Sequence, residues 1–367
     1  MLYNILYGEI VEIVEILTSI GIHRLEVYHI SYLEKVSQLR GKELDCYYTE
    51  LFKSINLQKK DLIFPIFVSE KSTNPFPEGN AVSGLAKIVP KDIIQHVQNI
   101  IEKGISSVII FGIPKKRDLR ASSALRNDGI VQRSTREIKK EFGEMINIIT
   151  DVCICQYNLS GHCGLQTGIP GKTDGIIDND STLALLSEIA TSYAESGADV
   201  VAPSSMMDGQ VIRIRSALNS SGFKDTKIMA FSAKHASSLY SPFRMTAYNK
   251  NIRDYTAIDK SSYQIGCANP RQAIREIEAD VQEGADAIIV KPTLAYLDMV
   301  SLIRDNIDFP LVVQNVSGEY AMIKAAARKG WIDEEEWKVN SIAAMKRAGA
   351  DSIISYFTMD IAKYLDH

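Results

Sequence analysis

Two lysines follow apolar runs that read as buried strands. Lys291 closes Ala287-Ile288-Ile289-Val290 and precedes Pro292, whereas Lys234 lies a few residues past Ile228-Met229-Ala230-Phe231, beside His235. A lysine is most often a solvated surface charge. At the mouth of a buried strand, desolvation opposes the charge and frees the amine as a nucleophile. Two such lysines on successive strands point to Schiff-base chemistry on carbonyl substrates. A second cluster is Asp151-Val152-Cys153-Ile154-Cys155, followed by Gly161-His162-Cys163-Gly164. Residues i and i+2 of a strand share a side, so Cys153 and Cys155 can share one ion, and the loop returns Cys163. Three thiolates select zinc or another soft metal, and an open fourth position makes such a site catalytic. His162 is an awkward fourth ligand because it adjoins Cys163. The alternative is a trio of reduced, buried thiols.

Anion-binding groups come next. Arg244 sits in Tyr240-Ser241-Pro242-Phe243-Arg244. Its guanidinium can fork a carboxylate or stack on Phe243 or Tyr240 as a surface residue. Ser317, after the seventh apolar strand, and Tyr356, at the end of the eighth, would face the same mouth. Their alternatives are a helix N-cap and a core tyrosine.

The elements that must position these groups alternate from residue 62 onward. Apolar strands are expected at 62–68, 108–113, 146–152, 200–203, 228–231, 287–290, 311–313 and 352–356. The runs are continuous rather than alternating, as in parallel strands covered on both faces. Helical stretches separate most of them, for example 90–103, 135–141, 182–196, 210–220, 270–283, 296–304 and 333–348. Gly-Ala-Asp recurs before three strands, at Gly197, Gly284 and Gly349, where glycine suits a helix end. Eight such units predict a TIM (β/α)8 barrel over 61–367. A doubly wound sheet is the alternative, weakened because no GxGxxG follows the first strand. Residues 1–60 form an N-terminal arm or extension, with helical spacing of Ile10, Ile13, Val14 and Leu17 over 9–17.

The bulk composition agrees with a soluble enzyme. The chain has 367 residues, 46% hydrophobic and 23% charged, with a net charge of −4. That balance favours neither nucleic acid nor an anionic membrane as partner. No apolar run approaches a membrane span. Glu9, Glu12 and Glu15 interrupt the apolar start, which argues against a signal peptide and for a cytoplasmic location. The five cysteines lack the spacing of a small disulfide framework, and Cys46 and Cys267 stand apart.

The runs DVCIC and GHCG, VAPSxMMDG, FSAK with YxPFR, YQ with AN, VKPxxAYLD, VSGEYAMIKAA and RAGADxIIxY occur in order from about residue 60 to the C-terminus. Together they resemble the porphobilinogen synthase (5-aminolevulinate dehydratase) family, in its zinc-binding, cysteine-rich form. The resemblance implies a TIM barrel that condenses two 5-aminolevulinate molecules to porphobilinogen in heme biosynthesis. It implies a homo-octamer with an arm embracing a neighbouring subunit. By the same resemblance, Lys291 forms the principal imine and Lys234 a second. Cys153, Cys155 and Cys163 ligate zinc, and Asp151 transfers protons. Arg244, Lys260, Gln264, Ser317 and Tyr356 bind substrate with Tyr240 and Phe243, and Glu276 marks an accessory, allosteric magnesium site. Read alone, Glu276 is an exposed helix acid.

Some positions depart from the family motifs. Ser205 stands where an aspartate is expected at the active-site rim, and Gln210 where an arginine is expected. Lys260 keeps a positive charge without the bidentate fork of arginine, and Arg253 is another candidate for that charge. Residues 80–85 are also altered. These departures leave open a divergent paralogue with reduced or altered activity, an aldolase-like enzyme using one lysine, or a zinc-binding assembly partner.

Overall fold

The computed structural model describes residues 42–71, 87–167, 176–248 and 259–365. The helix expected over 9–17, the altered segment 80–85 and Arg253 lie outside them. The chain divides into two units, residues 1–51 and 52–367. In the first, residues 42–51 begin helix α1 (Lys42–Ser54).

Among the described residues of the second unit, eight parallel strands close a barrel, with the two-residue strand Lys87–Ile88 alongside the first: β1 (Leu62–Ser69), β2 (Ser107–Ile113), β3 (Asn147–Val152), β4 (Val200–Pro203), β5 (Lys227–Lys234), β6 (Ala287–Lys291), β7 (Leu311–Gln314) and β8 (Ser352–Ile354). They pair in sequence order, and β8 pairs back onto β1 through Leu62–Ile353 and Ile63–Ile354, which closes the barrel. Every residue of β2, β4 and β7 is buried. That burial on both faces is why the strands are apolar throughout rather than alternating.

Helices fill the outer layer: α2 (Ile93–Glu102), α3 (Ile130–Phe142), α4 (Asn179–Glu195), α5 (Gln210–Ser220), α6 (Ser241–Tyr248), α7 (Pro270–Gln282), α8 (Leu297–Asn306), α9 (Ser317–Arg328) and α10 (Glu334–Arg347). Among the described residues, none is long and apolar enough to cross a membrane.

The three Gly-Ala-Asp turns are one device used three times. Gly197, Gly284 and Gly349 have φ of +95°, +99° and +114°, where a side chain is strained. The aspartate that follows accepts a backbone N–H at the start of the neighbouring strand, from its first or second residue: Ile148 to Asp199 at 2.7 Å, Ile228 to Asp286 at 2.8 Å, and Leu311 to Asp351 at 2.8 Å. Each carboxylate also pairs with a helix cation. Lys139 meets Asp199 at 2.7 Å, Arg304 meets Asp351 at 2.6 Å, and Arg215 meets Asp286. The staples sit at the N-terminal rim of the barrel, opposite the strand ends that carry the lysines.

The structure corrects the expected position of Lys234. A register shift between Ala230 and Ala233 carries β5 on to Lys234, which pairs with Lys291. Ser232 interrupts the apolar run within this irregularity, which is why the strand reads as ending early. Tyr356 lies just beyond β8 rather than at its end. Ser317 is the first residue of α9, with Val316 in the N-cap position, so it is not a cap.

Candidate active site

One pocket opens at the C-terminal ends of the strands. It is lined by Lys234 and Lys291, by Asp151, Cys155 and Cys163, and by Tyr240, Phe243, Arg244, Lys260, Gln264, Ser317 and Tyr356. Cys153 lies behind it in the thiol cluster. Glu276, expected as a metal-site residue, does not line this pocket. It lies half-buried on α7, and its carboxyl is pushed up by burial and then by the charge of Asp208. Ser205 is fully buried and absent from the pocket lining, so the expectation that it forms the rim is corrected. Ser204 faces the mouth instead, and Ser205 turns into the packing. Gln210, also buried, is the first residue of α5.

The two lysines sit in contrasting surroundings. Lys291 Nζ lies 5.0 Å from the centre of the Phe231 ring, 5.3 Å from Tyr240, and 5.9 Å from both Phe111 and Phe243. Burial among these rings, and secondarily the charge of Lys234, lower its pKa to about 7. Lys234 Nζ donates to Ser204 O and lies 4.0 Å from Cys163 Sγ. For Lys234 burial is the largest influence and works downward. The fields of Cys163, Cys153, Cys155 and Asp151 together outweigh it and hold the ammonium above its ordinary value.

The strand ends are tied together. His235 N donates to Lys291 O at 2.8 Å. The Tyr240 hydroxyl reaches His235 O at 2.7 Å and Lys291 O at 3.1 Å. Tyr240 therefore presents its ring to the pocket while its hydroxyl joins β5 to β6. Ser317 Oγ accepts from Phe243 N at 3.0 Å and reaches Leu239 O at 3.3 Å, pinning the start of α9 to the Tyr240–Phe243 turn. Glu319, fully buried, accepts from Thr293 N at 2.9 Å, Leu294 N at 2.6 Å and Val316 N at 2.7 Å. It locks the loop that follows Lys291.

The three thiols are free, buried, and have sulfurs within 4.8 Å of one another. Among the described residues they form the one group of three or more His, Cys, Asp or Glu side chains placed to hold an ion. Hydrogen bonds from Cys153 and Cys155, then the charges of Lys234 and Lys260, push the Cys163 thiol well below its usual range. Burial pushes Cys153 up. Lys260 Nζ donates to Cys163 Sγ at 3.3 Å. His162 is not part of the trio; its Nδ1 meets the Tyr263 hydroxyl at 3.1 Å, and that hydroxyl also accepts from Cys163 N at 3.2 Å. Asp151 accepts from Ser204 Oγ at 2.6 Å and Gln156 Nε2 at 3.0 Å, and burial raises its pKa.

Phe111, Gln156, Ser204 and Gln314 also line the pocket and were not singled out from sequence. One signal was available for Gln314. It directly follows the apolar run 311–313, as Lys291 follows 287–290, at the end of a strand where a barrel places its functional groups.

Fold and site define a closed (β/α)8 barrel with paired lysines and a thiol cluster at its catalytic end. The delta-aminolevulinic acid dehydratase family pattern matches residues 36–364. Delta-aminolevulinic acid dehydratase of Archaeoglobus fulgidus is 45% identical over 316 residues, covering 86% of this chain and 94% of that protein. The Bacillus subtilis protein of the same name is 42% identical over 322 residues, with 86% and 94% covered. Delta-aminolevulinic acid dehydratase (porphobilinogen synthase) from Toxoplasma gondii, solved with its reaction product porphobilinogen, superposes with a TM-score of 0.77. It is 35% identical, with 84% of this chain and 85% of that one covered. The chain belongs to the delta-aminolevulinic acid dehydratase family.

Proposed function

We propose that the protein is a porphobilinogen synthase, condensing two molecules of 5-aminolevulinate to porphobilinogen with loss of water. The observation that carries this reading is the lysine pair, in register across β5 and β6, in a pocket that also holds Asp151 and two of the three thiols.

Lys291 is the nucleophile, because its depressed pKa leaves much of it as free amine near neutral pH. Its lone pair attacks the ketone carbon, and one amine proton passes to the carbonyl oxygen. Uptake of a second proton releases water and leaves an iminium with one N–H. The surrounding rings exclude bulk water, which would otherwise hydrolyse the imine. Lys234, held as an ammonium, forms the second imine once it has passed a proton to a neighbouring base. Asp151, with its carboxyl raised by burial, is suited to hold and exchange a proton beside both amines. Arg244, Lys260 and Gln264 bind one substrate carboxylate, and Ser317 and Tyr356 the other, while Tyr240 and Phe243 shape the walls.

The donor set of the trio fits a soft ion, since all three ligands are sulfur and lie close enough to share one. Cys153, Cys155 and Cys163 would hold zinc, which would polarise a substrate carbonyl or orient its amine. The accessory magnesium at Glu276, assembly as a homo-octamer through an N-terminal arm over residues 1–60, and a cytoplasmic location follow from the family resemblance and belong to the same proposal.

Borohydride reduction in the presence of 5-aminolevulinate, followed by peptide mass spectrometry, tests the chemistry. A reduced adduct on Lys291 is expected, and its absence overturns the reading.

A further inference from the structure

Resting on the imine chemistry proposed above, the geometry points to Gln314 as a substrate-contacting residue whose carboxamide oxygen accepts the N–H of the iminium formed on Lys291. Gln314 ends β7 as Lys291 ends β6. Val312 pairs with Ile289 and Val313 with Val290, so the next step of the register brings Gln314 beside Lys291. Both residues line the pocket.

Gln314 is 2% exposed, and among the described residues no donor reaches its Oε1. Its backbone carbonyl is already engaged, accepting from Thr293 Oγ1 at 2.8 Å. A buried carboxamide oxygen without a donor is unfavourable and calls for a partner supplied from outside the protein. The substrate narrows the choice. The carboxylate and ketone oxygens of 5-aminolevulinate are acceptors and cannot satisfy another acceptor; its 5-amino group is a donor, but the register sets Gln314 beside the Lys291 side chain, where the imine forms. The iminium N–H is a donor created at the neighbouring residue.

The other walls around Lys291 offer that N–H little. They are ring faces at 5.0–5.9 Å, the Tyr240 hydroxyl is turned to two backbone carbonyls, and Asp151, the carboxylate of the pocket, already accepts from Ser204 Oγ and Gln156 Nε2. Gln314 supplies the acceptor they lack. It thereby stabilises the protonated imine over the free amine and ketone.

The test compares borohydride-trapped adduct on Lys291 in the full-length protein and in Gln314→Leu, Gln314→Met and Gln314→Glu. Circular dichroism and thiol titration establish that each variant is folded. Gln314→Met keeps the side-chain length should Gln314→Leu fail to fold. The apolar variants are expected to trap about ten-fold less, the worth of a hydrogen bond to a charged group. Gln314→Glu is expected to trap as much as the unaltered protein or more, because a carboxylate also accepts from an iminium. A purely structural role would impair both kinds of variant. Undiminished trapping in a folded apolar variant, or equal loss in Gln314→Glu, overturns the assignment alone. No adduct in the unaltered protein overturns the proposed function and this assignment with it.

Discussion

Lys234 and Lys291 share a residue type, a strand end and a pocket, and differ in what surrounds them. Lys291 faces rings and loses its proton near neutrality, whereas Lys234 faces sulfur, a carboxylate and a carbonyl and keeps it. In the proposed reaction, borohydride-trapped adduct on Lys291 rises with pH through about 7, since below that value the amine has no free lone pair. A trapping profile against pH reads this. Lys234 is the second cause of the depression, so Lys234→Met is expected to move the inflection upward. Ser205 gives the opposite kind of prediction. Its Oγ is buried with no partner among the described residues. Ser205→Ala is therefore expected to change stability by less than about 1 kcal/mol. Ser205→Asp, which introduces the residue that the family resemblance implies there, buries a carboxylate and is expected to cost about 3 kcal/mol or more. Chemical denaturation distinguishes the two.

At the scale of elements, two acidic anchors set the barrel, one at each end. Asp286 accepts from Ile228 N and pairs with Arg215 at the N-terminal rim. Asp286→Ala is expected to cost about 2 kcal/mol in urea unfolding while leaving kcat within about two-fold, because this rim lies opposite the pocket. Glu319 holds the loop after Lys291 by accepting from three backbone N–H groups and from Asn315 Nδ2 at 3.3 Å. Glu319→Gln would aim an NH2 at donors, and is expected to cost about 2 kcal/mol and also to lower kcat, since that loop positions Lys291. The Gly-Ala-Asp turns were legible in the sequence because each is a local signal repeated before a strand. The role of Glu319 was not, because its partners at Thr293 and Leu294 are remote in sequence. Nor was the full length of β5. Its irregularity at Ala230–Ala233 breaks the apolar run that marks a strand, and pairing with β6 restores the strand.

At the scale of the whole molecule, barrel closure joins groups that the chain supplies separately. Asp151 and the thiols come from β3 and the loop after it, Lys234 from β5, Lys291 from β6 and Tyr356 from beyond β8. A metal held by three thiols that the fold draws together binds the folded chain in preference to the unfolded one, so zinc at about 100 times its Kd is expected to stabilise the fold by up to about 2.7 kcal/mol. Chelation should lower the melting temperature and abolish porphobilinogen formation together. Calorimetry with and without a chelator checks the first, and a colorimetric assay the second. The sequence by itself determined the alternating strand–helix order, the lysines and thiols, and their family resemblance, because periodicity and motifs are local. Tertiary structure alone decided that Lys234 and Lys291 stand side by side, that Lys260 turns to Cys163, that Ser205 is buried and that Gln314 lines the pocket. Those facts depend on strand register and on which face each side chain presents, and both are set by partners far away in the chain.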